Sequence, residues 1–160
     1  WKLDDFKGQL ESGLRGRSVE IGRRIFTAAS CALCHKVNKI GGSVGPELTD
    51  VFKRWKGDRL AVVREVVDPS YRIDPKYAVQ VIITVDGSVL TGIVTAEDKT
   101  SVSILVNPEA RKPTVVQRSE IDEVVKTSKS MMPKALLDRF TKDEIFELIA
   151  FLESLNKEQK

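Results

Sequence analysis

The sequence predicts an α+β fold in which a mainly helical domain is interrupted by a small antiparallel β-barrel or sheet. Two observations carry this prediction. Apolar residues recur at helical spacing between residues 18 and 67 and again between 141 and 155, whereas they alternate with a period of two between 77 and 85. Of the 160 residues, 41% are hydrophobic, which is enough for one good core or for two small cores.

The N-terminal part predicts two helices separated by a loop. Residues 1–17 carry scattered apolar side chains between glycines, which indicates a short helix or an extended tether. Ser18 is typical of a helix N-cap, and the first clear helix follows it. Asp58 is a candidate cap of the second helix, which ends before Asp68 and its following proline. Residues 36–49, rich in glycine and proline, predict a loop.

The middle of the chain predicts five short antiparallel strands. Alternation from Tyr77 to Val85 runs into Asp86-Gly87, a typical β-hairpin turn. Further strands are predicted at 89–96, 101–106, 114–118 and 121–126. Closing such a sheet would remove its exposed edges, so residues 76–127 are expected to form a small barrel or a strongly bent sheet.

Helical spacing returns near the C-terminus. Thr141 and Glu144 have the spacing of a capping box, and the apolar residues after them form one helical stripe. Residues 18–75 and 128–160 are therefore predicted as one helical domain, with 76–127 inserted into it.

Charge and targeting signals limit the classes of partner that the sequence predicts. The chain has 26 basic and 23 acidic side chains, a net charge of +3, and this balance is too even to make nucleic acid the expected partner. No run of 18 apolar residues predicts a membrane helix, so no membrane anchor is visible, and the sequence indicates no oligomeric state. The start at Trp1 has no targeting pattern, so we expect a processed or excised piece.

Cys31-Ala32-Leu33-Cys34-His35 is the most specific chemical signal. The only two cysteines could form a redox pair, half of a metal site or a haem attachment. The adjacent histidine favours haem, because two thiols can add to the two vinyl groups while His35 lies on the proximal side of the iron. A redox pair expects a βαβ context, and a zinc site needs a fourth ligand, which no other Cys or His supplies.

The second axial ligand of the iron must come from another residue type, because His35 is the only histidine. Met131 and Met132 are the only methionines, and a thioether is a common partner of histidine in electron-transfer haem. The alternative is that the pair fills a gap in the core, as methionine readily does. Iron ligation is favoured, since the pair directly precedes Pro133 and the last helix.

Aromatic and basic residues offer candidates for the haem surroundings. Trp55 could donate its indole N–H to a haem propionate or could fill the core beneath the haem. Arg54 and Arg59 are competing propionate partners. Tyr71 and Tyr77 bracket the point where the strands leave the helical domain, and core packing is the favoured interpretation for both.

In this order, these segments resemble the class I cytochrome c family. The resemblance rests on the helix with Gly22 and Phe26, on CALCH, on Gly45-Pro46-Glu47-Leu48, on the Met-Pro pair and on Leu148-Ile149-Ala150-Phe151-Leu152. It implies a mainly α cytochrome c fold in which the Pro46 carbonyl accepts a hydrogen bond from the His35 ring. It also implies that Gly22 and Phe26 pack against the last helix, at Leu148 and Phe151.

More narrowly, the chain is similar to the haem-binding domain at the C-terminal end of large planctomycete and verrucomicrobial proteins. The residues concerned are the Gly-Arg run before Phe26, GPELT at 45–49, DPS at 68–70, Asp86-Gly87 and Gly92 in the inserted strands, and Ser-Met-Met-Pro at 130–133. This resemblance favours Met132 as iron ligand, with Met131 as runner-up. The inserted strands resemble SH3-like or Sm-like barrels, and because they lack a basic or aromatic face we interpret them as a spacer or docking surface.

Ligation of one haem c by His35 and Met132 would leave no open position on the iron, so electron transfer is expected rather than enzyme catalysis. The partner implied is a redox protein or an upstream dehydrogenase domain, and the location implied is the periplasm or another site outside the cytoplasmic membrane. Two alternatives stay open. One is a haem sensor or peroxidase-like enzyme with a labile methionine, and the other is a protein-interaction module that uses the β insert.

Overall fold

The computed structural model describes residues 1–109 and 112–156. The α-helices are α1 (Leu10–Gly13), α2 (Val19–Ala28), α3 (Cys31–Cys34), α4 (Val51–Arg54), α5 (Arg59–Val67) and α6 (Lys142–Ser154). The strands are β1 (Lys36–Val37), β2 (Ile40–Gly41), β3 (Ala78–Thr84), β4 (Val89–Glu97), β5 (Ser101–Leu105), β6 (Thr114–Gln117) and β7 (Ile121–Ser130). Short 3-10 helices span Leu3–Asp5, Pro75–Tyr77 and Arg118–Glu120. The α+β class is confirmed.

The chain divides into two compact units. Unit 1 comprises Trp1–Tyr71 and Lys134–Lys160, and unit 2 comprises Arg72–Pro133. All six α-helices fall in unit 1, and strands β3 to β7 fall in unit 2. Within the described residues, none of the helices is both long and apolar enough to cross a bilayer.

Helices α2, α5 and α6 begin where the sequence places their caps. The Ser18 side chain accepts a hydrogen bond from the Ile21 N–H at 3.2 Å, and Asp58 accepts one from the Ala61 N–H at 3.0 Å. Thr141 and Glu144 form the capping box at the start of α6. These bonds satisfy backbone donors that a helix start leaves unpaired, and the predicted helix starts are confirmed.

The core of unit 1 is organised by the crossing of α2 and α6. A Cβ added at Gly22 would lie 2.1 Å from the Glu147 carbonyl oxygen and 2.6 Å from the Phe151 Cβ, so the two backbones are in direct contact there. The rings of Phe26 and Phe151 are 5.6 Å apart. The implied packing of the first helix against Phe151 is confirmed.

Residues 1–17 contribute to this core. Phe6 is completely buried and Leu10 is 7% exposed, and both belong to the apolar cluster of unit 1. The Phe6 ring lies edge-on to Phe146 of α6, 6.1 Å from its centroid. The segment is therefore a packed part of unit 1 and not an extended tether.

Unit 2 is a five-stranded antiparallel sheet in the order β6-β5-β4-β3-β7. One face carries a small core of Ile82, Val102, Ile104 and Val116. Among the described residues, β6 pairs only with β5 and β7 only with β3. The sheet is thus open, so of the two forms predicted for this segment the antiparallel sheet is confirmed and the closed barrel is wrong. Closure is not needed to bury so small a core.

Candidate functional site

The two cysteines lie on a single helical turn. Ser30, with a left-handed backbone (φ 61°), separates α2 from α3, the turn that begins at Cys31 and ends at Cys34. Residues three apart on a helix lie on the same side. Both thiols are half-buried and neither is in a disulfide. Burial raises the pKa of the Cys31 thiol from 9.0 to about 11, so this thiol is neutral at physiological pH.

His35 follows α3 directly and is held through both its backbone and its ring. Its N–H donates to the Cys31 carbonyl at 2.9 Å, and its ring Nδ1 lies 2.7 Å from the Pro46 carbonyl oxygen. In the tautomer that donates from Nδ1, the lone pair is on Nε2, the nitrogen that can bind a metal. Burial lowers the pKa of His35 from 6.5, and the charge of Arg54 lowers it further. The hydrogen bond to the Pro46 carbonyl acts in the opposite direction and raises it. The neutral, ligating imidazole is thereby favoured.

Two glycines allow the following loop to lie against this pentapeptide. A Cβ added at Gly45 would lie 2.5 Å from Cε1 of the His35 ring, and one added at Gly42 would lie 1.8 Å from the Leu33 carbonyl oxygen. Real Cβ atoms do not approach so closely, so any larger residue would displace the ring or the CALC turn. The sequence indicated a glycine-rich loop here but not what the glycines contact.

The loop is also tied to the pentapeptide by backbone hydrogen bonds. The Gly42 N–H donates to Ala32 at 2.9 Å, and the Gly45 N–H donates to Cys34 at 2.8 Å. A hairpin of β1 and β2 lies between His35 and Gly42, and its turn places Asn38 and Lys39 in the left-handed region (φ 49° and 68°). This hairpin was missed because two-residue strands have no recognisable alternation.

The donor set suits a covalently attached haem better than a clustered metal ion. Among the described residues, no three His, Cys, Asp or Glu side chains converge as a metal site, which argues against the zinc alternative. Two thiols on one helical turn, followed by an oriented imidazole, are instead the groups that haem c requires. Cys31, Cys34 and His35 are the residues of unit 1 that would hold this group.

The candidate propionate partners already have protein contacts. Arg54 donates from Nη1 to the Glu47 carbonyl at 2.7 Å and to Asp50 at 2.6 Å. Arg59 forms an ion pair with Glu153 at 2.9 Å, and Trp55 is half-buried against the core of unit 1. The packing of Trp55 agrees with the alternative that this residue fills the core.

The two tyrosines differ in their surroundings. Tyr71 is 61% exposed, and its ring lies 4.7 Å from the guanidinium of Arg64, so the expectation of core packing is wrong for this residue. Its position at the end of unit 1 leaves one ring face to the arginine and the rest to water. Tyr77 is half-buried, with Lys76 Nζ 4.9 Å from its ring.

Met131 and Met132 lie at the C-terminal end of unit 2, directly before Pro133. Both are half-buried, and the Met132 N–H donates to the Ser130 hydroxyl at 3.1 Å. This bond fixes the backbone just after β7. Because His35 belongs to unit 1, ligation of the iron by Met132 stays a prediction.

Comparison with known proteins gives one family. A family model described as Cytochrome c matches residues 19–102, from the start of α2 into β5. The match contains Cys31, Cys34, His35 and Pro46 and ends before the two methionines. No curated protein is significantly similar to the chain.

Proposed function

The chain belongs to the cytochrome c family, and on this premise we propose that it is an electron carrier with a single haem c and His35/Met132 axial ligation. Cytochrome c domains carry covalently bound haem and transfer electrons through it. One CxxCH motif and one histidine in the sequence support a single haem. When bound, the haem supplies a one-electron couple between Fe(III) and Fe(II).

The observation that carries this proposal is the orientation of His35. Its Nδ1 is 2.7 Å from the Pro46 carbonyl, and the adjacent Gly45 leaves room for the ring. A carbonyl that accepts the N–H of a ligating histidine fixes the tautomer and increases the basicity of the other nitrogen. Pro46 therefore acts as a positioning residue, and Cys31 and Cys34 anchor the haem beside the imidazole.

Ligation by Met132 is supported by the chemistry of the chain. With one histidine and two methionines, thioether sulfur is the donor most suited to complete a low-spin, six-coordinate iron. A closed coordination sphere leaves no site for substrate, which favours electron transfer over peroxidase-like chemistry or sensing. Met132 is preferred to Met131 because of its place directly before Pro133.

We further propose that the chain is a module of a larger redox protein outside the cytoplasmic membrane. The similarity to the C-terminal haem domain of planctomycete and verrucomicrobial proteins supports this context, and a dehydrogenase domain upstream or a separate redox protein is the electron donor or acceptor proposed. Cytochrome c domains of bacteria are typically periplasmic or extracellular, which agrees with this location.

Substitution of each methionine tests the proposal. In the haem-loaded chain, Met132→Ala is expected to abolish the weak ferric absorption band near the red end of the spectrum that marks thioether ligation, because the iron loses its sixth ligand. Met131→Ala is the matched control and should keep the band. The reverse result would reassign the ligand, whereas a high-spin wild-type protein that readily binds carbon monoxide would overturn the electron-carrier function.

A further inference from the structure

We propose that unit 2 forms a two-fold dimer in which β7 pairs antiparallel with β7 of a second copy of the chain. This inference does not rest on the proposed electron transfer. It starts from the edge position of β7, a strand of ten residues that pairs on one side with β3. A long edge strand presents unpaired N–H and C=O groups to any strand of matching sequence.

The side chains of β7 are exposed on both faces of the sheet. Residues 122–126 are all exposed in succession, and Val124 and Val125 are each 39% exposed. Val124 pairs with the buried Ile82 of β3, and Val125 pairs with Val81 on the opposite face. A strand added outside β7 would therefore cover apolar surface on both faces.

Residues 123–126 are also the part of β7 that pairs regularly with β3. Register shifts in the pairing of β3 with β7 lie on both sides of it, between Ala78 and Gln80 and between Ile83 and Thr84. The pairs from Gln80 to Ile83 run without interruption opposite Lys126 to Glu123. Only a regular stretch can continue the hydrogen-bond ladder to another strand.

Charge identifies a second copy in antiparallel orientation as the occupant. Asp122 and Glu123 precede the two valines, and Lys126 and Lys129 follow them. An antiparallel copy places the acidic half of each strand against the basic half of the other, whereas a parallel copy would oppose like charges. Cross-strand pairs of opposite charge stabilise a sheet, and like charges destabilise it.

The register follows from the same pattern. With Val124 facing Val124 of the second copy, Lys126 lies opposite Asp122 of the second copy, and the two-fold axis repeats this pair. Such an isologous contact uses the same patch twice and closes on itself. Because one pair of strands buries little area, the dimer is expected to be weak and to form in the micromolar to millimolar range.

β6, at the other end of the sheet, provides the matched control. It is a four-residue strand with one exposed valine, Val115, at 57% exposure, and it carries no blocks of opposite charge. Val115→Lys and Val124→Lys thus place the same new charge on opposite edges. Both positions are exposed, Val115 at 57% and Val124 at 39%, so each new charge is in contact with solvent.

Sedimentation of the haem-loaded chain over a concentration series tests the proposal. The wild-type chain and Val115→Lys should dimerise equally, while Val124→Lys should weaken the dimer at least about tenfold because two new charges face each other. Lys126→Glu and Asp122→Lys should each weaken it similarly, and Lys99→Glu, an exposed loop control, should not.

Mixing the two charge variants is the decisive measurement. An equimolar mixture of Lys126→Glu and Asp122→Lys should regain dimers, because each contact then pairs Glu with Lys or Asp with Lys. A wild-type chain that stays monomeric up to about 1 mM would overturn the proposal and leave the edge to a different peptide. Dimers that depend on Val115, or a mixture that stays monomeric, would overturn it as well.

Discussion

Unit 1 and unit 2 differ in what their folds require of individual residues. In unit 1, the backbone at Gly22 and Gly42 lies so close to other backbone, and Gly45 lies so close to the His35 ring, that an added methyl group has no space. Unit 2 rests on a four-residue core on one face of an open sheet, and several valines remain exposed. The comparison teaches that close approaches in unit 1 hold a histidine in place, whereas the one in unit 2, at Gly92 against the Leu105 carbonyl, serves the pairing between strands.

The largest expected effect tests the close packing of unit 1. Gly22→Ala should lower the free energy of unfolding by about 3 kcal/mol or more, because its Cβ would meet the backbone of α6. The haem absorption band followed in urea reports the transition. Gly8→Ala is the control, since Gly8 has φ +70° but nothing within 4 Å of an added Cβ, and backbone strain alone costs about 1 kcal/mol. Equal losses for both variants would contradict the packing argument.

The next effect tests whether the small core of unit 2 unfolds separately. Ile82 is completely buried, and Ile82→Ala should cost about 2 kcal/mol because the cavity opens in a thin core that can partly collapse. Far-ultraviolet circular dichroism should show the change at lower urea than the haem band does. If both signals shift by the same amount, the two units unfold as one.

A smaller effect on stability, but a specific one on the site, is expected from Gly45→Ala. The new Cβ would press on the His35 ring, so the ring must move relative to the Pro46 carbonyl. We expect a loss of about 1 kcal/mol in stability together with a changed reduction potential of the haem-loaded chain, because a weaker Nδ1 hydrogen bond makes Nε2 less basic. Gly57→Ala, which has no atom near its Cβ, should leave the potential unchanged.

The smallest effect is the contribution of Asp98, in unit 2, to the pH dependence of stability. The N–H and hydroxyl of Thr100, the N–H of Ser101 and the charge of Arg118 lower the pKa of Asp98 from 3.8 to about 2. Since the folded state has the lower pKa, its stabilisation is present above pH 4 and is lost as the pH falls toward 2. Acid titration of circular dichroism should show this loss in the wild type, and Asp98→Asn should reduce the slope. An unchanged slope would remove Asp98 from the acid response.

Local signals predicted the parts of the fold that depend on neighbouring residues. The caps at Ser18, Asp58 and Thr141 each bond to the backbone N–H three residues on, so the residue type alone indicates the helix start. The strands of unit 2 follow from alternation in the same way. Whether the sheet closes depends on a contact between its first and last edges, which no local pattern specifies, and for this reason the sequence left both a barrel and a sheet possible.

In the candidate site too, local patterns predicted some features and could not predict others. CALCH identifies the attachment residues because haem attachment requires two cysteines and a histidine at this spacing. The family resemblance indicated the role of Pro46. The contacts of Gly42 and Gly45 with the pentapeptide join residues about ten positions apart, and a glycine-rich segment indicates only a loop. The short helix α4 and the β1–β2 hairpin were missed because each helix or strand is about one period long, too short to show a repeating pattern.

The crossing of α2 and α6 has a consequence for the order in which the chain is made. Unit 2 is one uninterrupted segment, so it can fold as soon as that segment has been synthesised. Unit 1 can complete its core only when Leu148, Ile149 and Phe151 have been added, since α6 supplies the surface against which α2 packs. Until α6 has been added, the CALCH pentapeptide therefore stands beside an unfinished core.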